Sequence, residues 1–146
     1  MHEFNDAQPI PLAEPEIVEF LNRLLEAERA GAAVARKSEQ GADPGPLATL
    51  LDQVRQDELR WCRMLIKHLQ LLGVRPSDTV GAFYDKAMAI ADLPDRMRLL
   101  NRGQGWVVRK LNEALPRISE QQLHTDLAEM LRAHELNIER LDNLID

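Results

Sequence analysis

The sequence predicts an all-α protein, a four-helix bundle with one long crossover. The chain is 45% hydrophobic but only 4% aromatic, so its core must be built mainly from Leu, Ala and Met, which suit helices better than strands. Proline and glycine divide it into four long segments whose apolar residues recur at roughly 3.5-residue spacing, with no strand-like alternation. The connections between these segments run short, long, short, and one long connection between two helical hairpins is the ferritin-like arrangement, with an up-down-up-down bundle carrying a decorated loop as the alternative.

Each element has its own signals. Residues 1–13, with Pro9 and Pro11, read as an extended tail, and residues 14–146 as a single helical domain. The first helix opens near Glu14, with Pro15 at its first position and Glu16 and Glu19 at the positive end of the helix dipole, and it stops before Gly41. A turn at Asp43-Pro44-Gly45-Pro46 leads into the second helix, which ends near Leu72 ahead of Gly73 and Pro76. Residues 73–92 form the long connection and hold a short helix around residues 83–90. The third long helix opens after Asp92 and cannot pass Pro116. Ser119 and Gln122 form a capping-box pattern for the fourth, which runs to about Leu144.

Composition excludes several functions. A net charge of −6 argues against general nucleic-acid binding or adhesion to an acidic membrane. No apolar run approaches the roughly 20 residues that span a bilayer. The one cysteine, Cys62, rules out an intrachain disulfide and reads as a buried structural thiol. With no secretory pattern over residues 1–16, a cytoplasmic protein is expected.

Every apolar stripe carries a polar residue near its middle: Glu28, Glu58, Gln104 and His134. At 1.5 Å per residue these lie roughly 20, 21, 17 and 22 Å from the same end of a crossover bundle. One polar interruption per helix at a shared level needs partners, water or an ion.

The segments LNRLLEAERAGA (21–32), DELRWC (57–62), GAFYDKAMAI (81–90), NRGQGWVVRKLNEALP (101–116) and HELNI (134–138) resemble an uncharacterised bacterial family of ferritin-like domain proteins over about residues 15–145. The wider ferritin-like superfamily implies a di-metal site with Glu from two helices and Glu-x-x-His from the other two. Glu28, Glu58 and Glu135 match that pattern. Trp61 and Ile138 stand where histidines belong, Gln104 replaces a Glu, and His134 offers a substitute ligand. The resemblance thus implies a degenerate site. Three neighbouring carboxylates would repel unless an ion, a proton or an arginine such as Arg29, Arg102 or Arg109 intervened.

The leading functional reading is a cytoplasmic binding or assembly bundle, expected to form a homodimer and to lack a competent di-iron centre and any resident cofactor. Its ligand or partner candidates are Trp61, Arg102, Gln104, Trp106 and Arg109. The rival is a carboxylate-bridged iron or manganese oxidoreductase, or a metal-binding protein, with Glu28, Glu58, His134 and Glu135 as ligands. A third reading, a module for a small anionic ligand, rests on the third helix, where six basic residues face two acidic ones. The basic residues are more readily explained by pairing with the chain's own acidic helices or a second copy. Gly103 and Gly105, in mid-helix, imply close approach of another element. Trp61 and Trp106 read as packing residues, and His68 and His124 as separate surface histidines at one end of the bundle.

Overall fold

The computed structural model describes residues 9–145, and among them there is no strand. Five helices follow in order: α1 (Glu14–Gln40), α2 (Pro46–Leu71), α3 (Phe83–Met88), α4 (Leu93–Ala114) and α5 (Gln121–Ile145). A single 3-10 turn, Leu115–Arg117, joins α4 to α5.

Local chemistry sets the boundaries. The Glu16 carboxylate accepts the Ala13 amide at 2.9 Å and closes the start of α1. At the end of α2, Gly73 takes φ 74°, which lets its amide reach Gln70 O and the Val74 amide reach Leu69 O, satisfying carbonyls the helix leaves unpaired. Asp92 caps α4 by accepting the Asp95 amide. The start of α5 corrects the sequence reading. Glu120, rather than Ser119, occupies the cap, and its carboxylate accepts the amides of Gln122 and Leu123. The short helix also ends two residues early, at Met88. Of the expected extended tail, residues 1–8 lie outside the described residues. The stretch that follows is tied to the 3-10 turn, through Leu12 N to Arg117 O and Arg117 Nε to Ile10 O.

Contacts between the long helices settle the path of the chain. α1 packs on α2 and α4, and α5 packs on α2 and α4, while α1/α5 and α2/α4 are diagonal pairs. Along α2 and α5 the partners run in opposite directions: Asp57 with Asn137, Arg60 with Glu129, His68 with Asp126. α1 and α4 are likewise antiparallel, since Ser38 meets Arg96 at one end and Phe20 shares a groove with Trp106 towards the other. α2 and α4 therefore run the same way, and the connection between them travels the length of the bundle. It is pinned to α1 on the way. Asn22 Oδ1 accepts the Ser77 amide, Glu26 accepts the Ser77 hydroxyl, and Arg29 donates to the carbonyls of Ser77 and Thr79.

That path lays α3 over α1 and α4 and brings the Phe83 ring onto α4. A Cβ at Gly103 would stand 2.9 Å from Phe83 Cζ, so the glycine there makes room for the crossover. Gly105 meets nothing closer than the guanidinium of Arg109, at 3.7 Å, and no close approach accounts for it.

The apolar core is in two parts. One gathers Leu21, Leu24, Trp61, Leu65, Leu111, Leu127 and Met130. The other holds Val34, Leu51, Val54, Met97, Leu100 and Leu141. Between them lies the polar layer. No described helix is long and apolar enough to cross a membrane.

Among the described residues, the basic residues of α4 form no ion pair with the acidic faces of the other helices, which corrects the sequence reading. Arg98 and Lys110 pair with Asp95 and Glu113 of the same helix. Arg96 donates to Ile90 O and Ser38. Arg102 and Arg109 are exposed and form no ion pair among the described residues. Placing those arginines needs rotational positions that charge counts do not carry.

The α2/α5 adjacency is directly testable. His68 is buried and lies 2.7 Å from Asp126 Oδ2. A double-mutant cycle on His68→Ala and Asp126→Ala is expected to give a coupling of roughly 1 kcal/mol in urea denaturation. Zero coupling would count against the His68–Asp126 contact.

Candidate metal centre

Helical spacing brings the site together. Glu28 faces inward from α1 and Glu58 from α2, four positions from the core residues Leu24 and Val54. His134 projects from α5, four residues after Met130. Glu28, Glu58 and His134 are 1%, 3% and 2% exposed. One ligand atom from each lies within 4.8 Å of the others.

His134 is held in one orientation. Its Nδ1 lies 2.9 Å from Met130 O, and because a carbonyl only accepts, Nδ1 carries a hydrogen. Nε2 then points across the bundle diagonal at Glu28. It sits 3.0 Å from Oε1 and 3.1 Å from Oε2, with hydrogen-bond geometry to Oε2 alone. Imidazoles that ligate metals are fixed in this way, with the second nitrogen donating to a carbonyl or carboxylate.

The two carboxylates are short of partners. Glu28 Oε1 and Glu58 Oε2 are both buried without a hydrogen bond. No arginine compensates, since Arg29 is committed to the crossover carbonyls and Arg102 and Arg109 are exposed. Glu58 is placed by an absence. A Cβ at Gly31 would fall on its carboxylate, so only a glycine on α1 leaves space for it.

The electrostatics follow from that crowding. Burial, then the charges of Glu28 and Asp57, push the Glu58 carboxyl well above its ordinary value of 4.5. Burial alone would lower the imidazole of His134. The charge and hydrogen bond of Glu28, the Met130 carbonyl and the charge of Asp57 outweigh it and raise the group above 6.5. Cys62, buried beside the layer, is pushed up to about 12 by burial and the two glutamates, which makes it an inert thiol.

Gln104 completes the level. Its Nε2 donates to Asn101 Oδ1 at 2.9 Å, while Asn101 Nδ2 donates to Ile138 O and Asp142 Oδ1. This relay from α5 fixes which end of the Gln104 amide faces inward, and Oε1 is left buried and unpartnered. A cavity of about 240 Å³ opens between α1 and α4 and ends on Glu28, Glu58 and Gln104, with Ala27, Phe83, Leu100, Trp106 and Val107 along its walls.

The other sequence candidates fall elsewhere. Glu135 is exposed and outside the group, because one residue along a helix turns the side chain by about 100° and His134 takes the inward place. Trp61 is buried in the larger apolar cluster with its Nε1 unpartnered and Arg60 stacked 4.6 Å above its ring. Trp106 is half-buried and lines the cavity instead of filling it. His124 is exposed, apart from the His68–Asp126 pair. Sequence reasoning missed Asn101 and Asn137, both buried, and the role of Gly31. The only signal for Asn101 was a polar residue three positions before Gln104 on the same face.

A helical bundle with a buried triad of two carboxylates and one imidazole is the class defined by this fold and site. The chain belongs to the family described as a domain of unknown function (DUF6306), whose model matches residues 15–143 and so takes in the whole triad. No curated protein and no solved structure matches it.

The raised groups give a pH dependence of defined sign. In metal-free protein Glu58 keeps its proton at pH values where the unfolded chain has released it, so folding takes up a proton. His134 acts in the same direction above its ordinary value of 6.5. The urea midpoint in chelator is therefore expected to fall as pH rises from 5 to 8, and Glu58→Gln should flatten the slope. A midpoint that rises over that interval in the parent protein would contradict the assigned directions.

Proposed function

We infer that this protein is a ferritin-like bundle that binds one divalent transition-metal ion on Glu28, Glu58 and His134. The observation that carries the reading is the pair of buried carboxylate oxygens left without a hydrogen bond, gathered with an imidazole already oriented by a backbone carbonyl. Two carboxylates and a neutral imidazole balance a doubly charged ion and leave the layer without net charge. Without the ion the same neutrality requires protons on Glu58 and His134.

The donor set suits iron or manganese, with zinc also accommodated, because carboxylates and imidazole are hard to borderline ligands. A two-metal site is not supported. Trp61, Gln104 and Ile138 replace three of the usual ligands, and Glu135 faces solvent. Three protein ligands leave coordination positions open, as in sites where a metal meets water or a small molecule. The apolar cavity that Glu28 and Glu58 help to line supports that reading over a closed structural ion. The metal ion would supply Lewis acidity or one-electron chemistry. The protein residues would hold it, orient it and exclude bulk water.

Protein purified without chelators, or dialysed against Mn(II) or Fe(II) under nitrogen, is expected to hold one ion per chain. Calorimetry in buffers of different ionisation heat should show proton release on binding. Glu58→Ala and His134→Ala should lose the ion, and Gly31→Ala should lose it too while remaining helical by circular dichroism. Two ions per chain, or one that survives Glu58→Ala, would overturn the assignment.

A further inference from the structure

We propose that Asp57 and Asn137 form a hydrogen-bonded brace between α2 and α5 that holds Glu58 and His134 together as ligands, which makes both of them positioning residues of the centre. This rests on the metal reading. Glu28 and Glu58 stand on the α1–α2 hairpin, whereas His134 reaches them from α5. The donor geometry therefore depends on how α5 is set against α2, in height and in rotation. Apolar packing is non-directional. A hydrogen bond across the interface has a required distance and angle, and it fixes both settings.

Such a bond stands at the level of the triad. Asp57 immediately precedes Glu58, and Asn137 lies one helical turn after His134. Asn137 is buried, and its Nδ2 donates to Asp57 Oδ2 at 3.0 Å. The other oxygen of Asp57 accepts from Gln53 Nε2 at 2.9 Å, one turn back on α2, which steadies the carboxylate. On the far side of α5, Asn101 donates to Ile138 O, so two successive residues of that helix are held from opposite neighbours. The Asp57 charge acts on both Glu58 and His134, in keeping with its place between them. The other polar links between α2 and α5 are worse placed for this task. Arg60 and Glu129 meet on the exposed surface, where an ion pair contributes little. His68 and Asp126 meet roughly 15 Å along α2 from Glu58.

The affinity of folded protein for Zn(II), measured by competition with a chelator, tests the brace. Helicity and the urea midpoint in EDTA are recorded on the same samples. Asn137→Leu removes the hydrogen bond without changing the charge of the protein. Its zinc affinity is expected to fall about 10-fold, the lower end of what outer partners of metal ligands contribute. Exchanging the pair, Asp57→Asn with Asn137→Asp, keeps the total charge and remakes the bond in the opposite sense. That exchange should recover most of the loss. A merely structural role would lower the urea midpoint and leave the zinc affinity of the folded protein unchanged. Asn137→Ala takes the place of the leucine variant if leucine disturbs the helicity. Parent affinity after loss of the bond, or an exchange variant that binds as weakly as Asn137→Leu, overturns the brace and leaves the metal centre standing. Parent protein that takes up no zinc, manganese or iron overturns both.

Discussion

Two carboxylates enclosed in one apolar bundle constrain everything else in this molecule. Glu28 and Glu58 cannot both be charged in a low-dielectric layer without positive charge between them, and among the described residues the layer holds one imidazole, His134. The layer splits the core into two apolar clusters and leaves oxygen atoms without partners. It also sets the proton affinity of its neighbours, down to the inert thiol of Cys62. An apolar replacement of the same volume would serve packing better, because removing both members of a buried polar set is often neutral or stabilising. The cost of holding this set in a small bundle is what supports the reading of a bound ion.

The site also lies across a seam. Glu28 and Glu58 belong to the α1–α2 hairpin, while His134 and the Asn101–Gln104 relay belong to α4 and α5. Neither hairpin holds the complete donor set. An ion there would join elements far apart in sequence, and the free energy of its binding would add to that of docking the two halves. The crossover contributes from outside. Through Ser77 it is fastened to α1, and through Phe83 it roofs the cavity that leads to the layer.

Much of this was legible in the residues. Prolines and glycines marked the helix ends to within a residue or two, because both act on the backbone locally. The shared level of Glu28, Glu58, Gln104 and His134 followed from a fixed rise per residue, and all four are buried. What could not be read was rotation and side-chain direction. His134 and Glu135 differ by one position, and only packing decides which turns inward. Arg29 looked available to the carboxylates and is instead spent on the crossover, a contact between residues nearly 50 apart. The direction of the Gln104 amide depends on Asn101 and Asp142, and no spacing rule links Asp142 on α5 to a residue on α4.

Gly31 has a consequence of a different kind. In mid-helix a glycine ordinarily costs about 1 kcal/mol against alanine, and here the bare hydrogen is the space that the Glu58 carboxylate occupies. Any larger residue at that position evicts the carboxylate while improving the helix, so the two pressures on the residue are opposed. That conflict turns one letter of the sequence into a diagnostic character. In a related chain, alanine there would require the Glu58 carboxylate to stand elsewhere, so this position and the two glutamates are to be read together.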